Sequence, residues 1–205
     1  MAGNQTPKAR VGVLALQGDF REHAALLRSI GADVVLVRRP EELDSVSGLV
    51  IPGGESTVMD KLGHIFGLAE PIRARIRAGM PVFGTCAGLI MLADEILDAA
   101  AGQQTLGALD ITVRRNAFGS QQASFEVALE VPSFDGAPVV AVFIRAPIVE
   151  RVGPDVEVLA ALADGRIVAV AQGPIMGTSF HPEMNGEPRF HRRFLDTVAA
   201  AHASE

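Results

Sequence analysis

The sequence predicts an α/β protein, a doubly wound and mostly parallel sheet with helices on both faces and an antiparallel extension. Three observations carry this. Short, wholly apolar runs at residues 11–16, 34–37, 48–51 and 82–83 read as parallel strands buried on both faces. Segments with apolar residues at helical spacing alternate with them, as βαβ units require. Beyond Ala101 the pattern changes to strands joined by turns, which suits an antiparallel extension.

Val11-Gly-Val-Leu-Ala-Leu16 is the first strand, ended by Gln17-Gly18-Asp19. Residues 20–30 carry Ala24, Leu27 and Ile30 at helical spacing, and Gly31 closes that helix as its C′ residue. Strands at 34–37 and 48–51 follow, then a helix from about Val58 capped by Ser56 or Thr57, and a further helix over 68–78. Val82 and Phe83 form the next strand, and 89–97 shows helical spacing. Strands are expected at 109–114, 125–131, 139–144, 156–162, 167–171 and 175–180, with a closing helix over 188–201.

A chain of 205 residues, 48% hydrophobic, suits one domain, taken as 11–201 between a flexible extension (1–10) and a short tail (202–205). With 5% aromatics and no Trp or Tyr, the core is expected to be mainly aliphatic. A net charge of −6 with scattered Arg and Lys argues against nucleic acid. One cysteine excludes an internal disulfide and suits a reducing cytosol. No apolar signal segment opens the chain, and no apolar run is long enough for a membrane span. A soluble cytoplasmic protein is expected.

The chemistry centres on Gly84-Thr-Cys-Ala-Gly88, between a short strand and a helix. This is a G-x-nucleophile-x-G elbow, whose strained turn needs small neighbours on both sides. The helix start directs backbone N–H groups at the sulfur and favours thiolate. Taken alone, Cys86 is equally a small buried residue. Pro52-Gly-Gly-Glu-Ser-Thr57 ends the third strand with a turn where backbone N–H groups can approach a ligand, although an ordinary tight turn reads the same way. Arg115 and Arg145 could each bind a carboxylate or be solvated surface charges. Near the end, His181 and Glu183 stand two residues apart on an extended segment, so the carboxylate can hold the imidazole in one tautomer. His23, His64, His191 and His202 lie in helix-like stretches without such a partner and are expected at the surface. Together these parts form a Cys-His-Glu acyl-transfer site. Cys86 attacks, His181 moves protons, Glu183 orients His181, and the N–H groups of Ala87 and the Gly53-Gly54 turn hold the oxyanion.

Gly-x-Cys-x-Gly followed far downstream by His-Pro-Glu resembles the class I (triad) glutamine amidotransferase family. More narrowly, Gly12-Val-Leu-Ala-Leu-Gln-Gly18, Arg21-Glu-His23, Pro52-Gly-Gly-Glu-Ser-Thr57, Phe83-Gly-Thr-Cys-Ala-Gly-Leu-Ile90, Arg115-Asn-Ala-Phe-Gly119, Phe143-Ile-Arg-Ala-Pro147 and Ser179-Phe-His-Pro-Glu183 are similar to glutaminase subunits of pyridoxal 5′-phosphate synthases. The resemblance implies that Gly54, Glu55 and Ser56 line a glutamine site with Arg115, Ile144 and Arg145. It places Gln17 near the oxyanion turn and a partner interface. It also implies hydrolysis of L-glutamine to glutamate and ammonia, without cofactor or metal, and delivery of ammonia to a (β/α)₈-barrel synthase subunit. Ser120 departs from the basic residue expected after Phe-Gly. The alternatives are a glutaminase for another synthase, such as imidazole glycerol phosphate synthase, a γ-glutamyl hydrolase, or a degenerate regulatory module.

Overall fold

The computed structural model describes residues 10–118 and 124–203. The expectations for residues 1–9, for Ser120 and for the last two residues of the tail lie outside them. Strands β1 (Arg10–Leu14), β2 (Asp33–Val37), β3 (Gly48–Ile51) and β4 (Val82–Thr85) alternate with helices α1 (Phe20–Ser29), α2 (Pro40–Asp44), α3 (Ser56–Ile65) and α4 (Ala69–Arg77). All four strands pair in parallel. β3 and β4 are buried along their whole length, which is why their sequences show no alternation.

Helix α5 (Ala87–Leu92) leads to β5 (Ala93–Leu97), β6 (Leu109–Arg114), β7 (Ser124–Leu129), β8 (Val139–Ile144), β9 (Ile148–Val152), β10 (Glu157–Ala161), β11 (Ile167–Gln172) and β12 (Ile175–Thr178), and α6 (Arg189–His202) closes the fold. The ten-stranded sheet runs β2-β1-β3-β4-β12-β11-β9-β6-β5, with β10 on β11. β12 returns parallel to β4, bringing its carboxyl end beside that of β4. On one face, Ala24 and Leu27 of α1 and Phe190, Phe194 and Val198 of α6 pack with Val11, Val13 and Phe83. On the other, Leu43 of α2, Met59 of α3, Ile72 of α4 and Leu89 and Leu92 of α5 pack with Leu49, Ile51 and Leu109.

The structure departs from the sequence expectations at several points. The helix expected over 89–97 ends at Leu92, and Ala93 turns extended with φ −64° and ψ 153°. Residues 93–97 instead pair in parallel with β6. The apolar spacing there fits both periods, and the outcome is decided by Leu106 and Ala108, whose N–H groups bond the carbonyls of Met91 (2.7 Å) and Leu92 (2.8 Å). β9 and α2 were not foreseen. β7 and β8 leave the main sheet and form their own antiparallel ribbon, with Phe125 and Phe143 stacked 4.7 Å apart. His23 and His191 are wholly buried rather than at the surface. The core on the α1 and α6 face also gathers phenylalanines, Phe83, Phe180, Phe190 and Phe194 among them, around its aliphatic residues.

Candidate active site

β4 leads into Cys86, which takes φ 49° and ψ −103°, the strained turn of an elbow. Its N–H donates to the Thr178 carbonyl at 2.8 Å, so the turn is fastened to the end of β12. Gly88 permits this close packing, because a Cβ there would lie 2.1 Å from the Ile51 carbonyl oxygen. α5 starts at Ala87, and its first N–H groups have no partner within the helix.

The segment after β12 carries His181 and Glu183. The His181 N–H donates to the Val142 carbonyl (2.9 Å), which ties this segment to β8. His181 Nδ1 lies 2.7 Å from Glu183 Oε1 and 3.4 Å from Asp19 Oδ2. With Nδ1–H donated to Glu183, Nε2 is left for the sulfur. Burial alone favours neutral His181, but hydrogen bonds and charge from Cys86 and Glu183 overcome it and raise its pKa to about 10. Burial pushes Glu183 above the usual carboxylate value, against the opposing pull of His181.

The Gly53-Gly54 turn closes over this pair. A Cβ on Gly53 would lie 2.3 Å from His181 Cε1, so only glycine lets the imidazole approach. Asp19 N–H donates to the Gly53 carbonyl at 3.3 Å. Gln17 clamps the next residue from both sides, accepting from the Glu55 N–H (3.2 Å) and donating to the Glu55 carbonyl (3.4 Å). Glu55, rather than Ser56 or Thr57, caps α3, accepting from the Thr57 N–H at 3.4 Å.

A cleft beside the sulfur is lined by Gly54, Glu55, Ser56, Cys86, Ile90, Arg115, Asn116, Ile144 and Arg145. Arg115 pairs with Glu55 (3.0 Å) and donates to Gln103 (3.2 Å), which in turn donates to Ser56 Oγ (3.0 Å). Cys86 Sγ lies 3.9 Å from the Ile144 carbonyl. Three of the four non-glycine residues with positive φ among the described residues, Cys86, Asn116 and Arg145, line this cleft. Strained backbone gathers where side chains must be aimed.

Asp19, His181 and Glu183 offer three ligand atoms within 4.8 Å of one another. The imidazole nitrogen that faces both carboxylates is Nδ1, and with its proton shared with Glu183 the group suits proton sharing rather than a cation.

Residues 13–200 match the SNO glutamine amidotransferase family. The chain belongs to this family. It is 65% identical over 191 residues to the pyridoxal 5′-phosphate synthase subunit PdxT of Clavibacter sepedonicus, covering 93% of this chain and 91% of that protein. The subunit of the same name from Streptomyces avermitilis is 58% identical, over 95% of this chain and 96% of the relative. A crystal structure titled glutamine amidotransferase superposes with a TM-score of 0.86 at 47% identity, over 92% of this chain and 98% of that one. The crystal structure of a Thermoplasma acidophilum protein described as a GMP synthase component shares the fold, with a TM-score of 0.69 at 19% identity, over 97% of this chain and 98% of that one.

Within the family frame, Cys86, His181 and Glu183 meet at the carboxyl ends of β4 and β12, where ligands bind in open α/β sheets. All six residues expected around the substrate line one cleft with the sulfur. Gln17 packs beside the Gly53-Gly54 turn through its hydrogen bonds to the Glu55 backbone. Arg115 and Glu55, both expected around the substrate, form an ion pair with each other. Asp19, Gln103 and Asn116 were not among the residues expected there. Asp19 had a signal, since it ends the turn containing Gln17, whereas Gln103 reaches the cleft only through tertiary packing. No helix among the described residues is long and apolar enough to cross a membrane.

Proposed function

We propose that this chain is the glutaminase subunit of a pyridoxal 5′-phosphate synthase, hydrolysing L-glutamine through a γ-glutamyl thioester on Cys86. The observation that carries the reading is a single cleft in which Cys86 meets the hydrogen-bonded His181–Glu183 pair beside Gly54, Glu55, Ser56, Arg115, Ile144 and Arg145. With its pKa near 10, His181 rests as imidazolium against the sulfur. Cys86 attacks the side-chain amide carbon, and the Ala87 and Gly54 N–H groups receive the developing oxyanion. His181 Nε2–H protonates the leaving nitrogen, which departs as ammonia. The same nitrogen then takes a proton from water as it attacks the thioester, releasing glutamate and the free sulfur.

The cleft offers the α-carboxylate and α-amino ends of glutamine complementary groups, Arg145 for the former and Glu55 for the latter. Ammonia then passes to a (β/α)₈-barrel synthase subunit, and Gln17 lies where that partner reaches the oxyanion turn. Support for this partner is the likeness to the two named synthase subunits.

The test is a complex carrying Cys86→Ala. It is expected to make no pyridoxal 5′-phosphate from glutamine, yet to make it at the normal rate when ammonium salt is supplied. Synthesis from glutamine by this complex would remove Cys86 as nucleophile. Failure of ammonium to rescue an assembled complex would show that the chain acts in later steps as well.

A further inference from the structure

The proposed chemistry leaves two wholly buried histidines unused, His23 on α1 and His191 on α6. They meet beneath β4, with His23 Nδ1 2.8 Å from His191 Nε2. The other nitrogen, His23 Nε2, lies 3.0 Å from Thr85 Oγ1 and 3.4 Å from Glu183 Oε2. Glu183 is bonded to His181 through Oε1, while Oε2 is buried and has no hydrogen bond of normal geometry among the described residues. A buried carboxylate held by one donor is poorly compensated, and a second N–H aimed at it repairs that deficit.

We infer that His23, backed by His191, is a positioning residue for Glu183, its Nε2–H lying between Thr85 Oγ1 at 3.0 Å and Oε2 at 3.4 Å and so partly compensating the carboxylate. The inference rests on the proposed role of Glu183 in orienting His181. Its proton order follows from charge. An ionised carboxylate draws the His23 proton to Nε2, so Nδ1 must accept, and His191 supplies Nε2–H at 2.8 Å. This order leaves a lone pair on His191 Nδ1, which makes no hydrogen bond of normal geometry and faces the acceptor that the Glu187 backbone offers.

Neither histidine brings a positive charge. Burial, then the charges of His191 and His181, hold His23 well below its ordinary value, and burial brings His191 down to about 4 against the pull of Glu187. The groups facing Glu183 are therefore His181 and Asp19 on one side and neutral His23 on the other, with Cys86 beyond His181 and Glu187 beyond His191. A directed N–H without a second cation keeps Glu183 ionised to lower pH and leaves His181 as the only acid.

Glutamine hydrolysis by the full chain, with its synthase partner present, is measured against pH for wild type, Cys86→Ala, His23→Leu and His23→Gln. Inactive wild type, or full activity in Cys86→Ala, would overturn the underlying site and not this inference alone. Given an active wild type, His23→Leu is expected to lower kcat by about ten- to a hundredfold with little change in KM. Its acid limb should move toward neutral pH, because Glu183 takes up a proton more readily. His23→Gln, which keeps both a donor and an acceptor, should recover most of the rate and return the limb. Acid limbs unmoved in both variants would overturn the inference and leave His23 a packing residue. Where His23→Leu does not fold, the wild-type protein supplies the test through its imidazole ¹⁵N resonances. Nε2–H on both His23 and His191 supports the inference, and Nδ1–H on His23 overturns it.

Discussion

At the residue scale the site depends on which carboxylate serves His181. Glu183 is buried and 2.7 Å from Nδ1, whereas Asp19 is partly exposed and 3.4 Å away. A short, desolvated hydrogen bond fixes a tautomer far better than a longer, solvated one. Glu183→Gln should therefore lower glutamine turnover severely, toward the roughly 10⁴-fold loss seen when an orienting carboxylate is neutralised in a comparable triad. Asp19→Asn should lose less than about tenfold, in keeping with a weak partly exposed pair. Comparable losses in kcat for both variants would mean that the two acids share the role. The His-x-Glu spacing made Glu183 legible from the chain alone. Asp19 lies on a distant turn, and only the bond from its N–H to Gly53 brings it to His181.

At the element scale two turns confront each other, the elbow after β4 and the Gly53-Gly54 turn after β3. Gly53→Ala places a methyl 2.3 Å from His181 Cε1 and 2.9 Å from Asp19 Oδ2, so the imidazole has to move. Both contacts are side chains, so the backbone of the turn can stay in place. The variant should fold, with a thermal midpoint lowered by no more than the cost of modest overpacking, about 1–3 kcal/mol. Its glutaminase kcat should fall by more than about a hundredfold, as misplacement of a reacting group by an ångström allows. Wild-type kcat in a folded Gly53→Ala protein would show that His181 does not work from this position. The glycines of both turns were visible in the sequence. The short α5 was not, because Leu89, Leu92, Ala93 and Ile96 satisfy a helical spacing until the N–H groups of Leu106 and Ala108 take up the carbonyls that would continue it.

For the whole molecule, buried histidines set the response to pH. His23 and His191 are held neutral, with folded values below the unfolded 6.5, so the unfolded chain binds more protons as pH falls. Stability is therefore lost on acidification from about 6.5 toward 4, by roughly 3 kcal/mol for His191 once its titration is complete. Glu183, raised by burial, acts in the opposite sense and offsets part of this loss. His181 contributes fully below 6.5 and loses its contribution as pH rises through about 10. Thermal melts should show a midpoint that falls on both sides of neutrality, and His191→Phe should flatten the acid side. An acid side equally steep in His191→Phe would mean that other groups set it.

Much of the function was readable along the chain. The elbow, the glycine turn and the His-x-Glu pair are local patterns, and each works through neighbours within a few residues, so their spacing alone announces the chemistry. The same holds for the parallel strands, whose two buried faces leave wholly apolar runs. Burial of His23 and His191 was not readable, because a histidine on an amphipathic helix looks alike whether it faces water or a second helix. Their pairing depends on α1 and α6 packing against the same face of the sheet, from opposite ends of the chain. Likewise the cleft joins Gly54, Arg115 and Arg145 from three separate loops. Such contacts arise from sheet order and helix packing, which act over distances that no local spacing encodes.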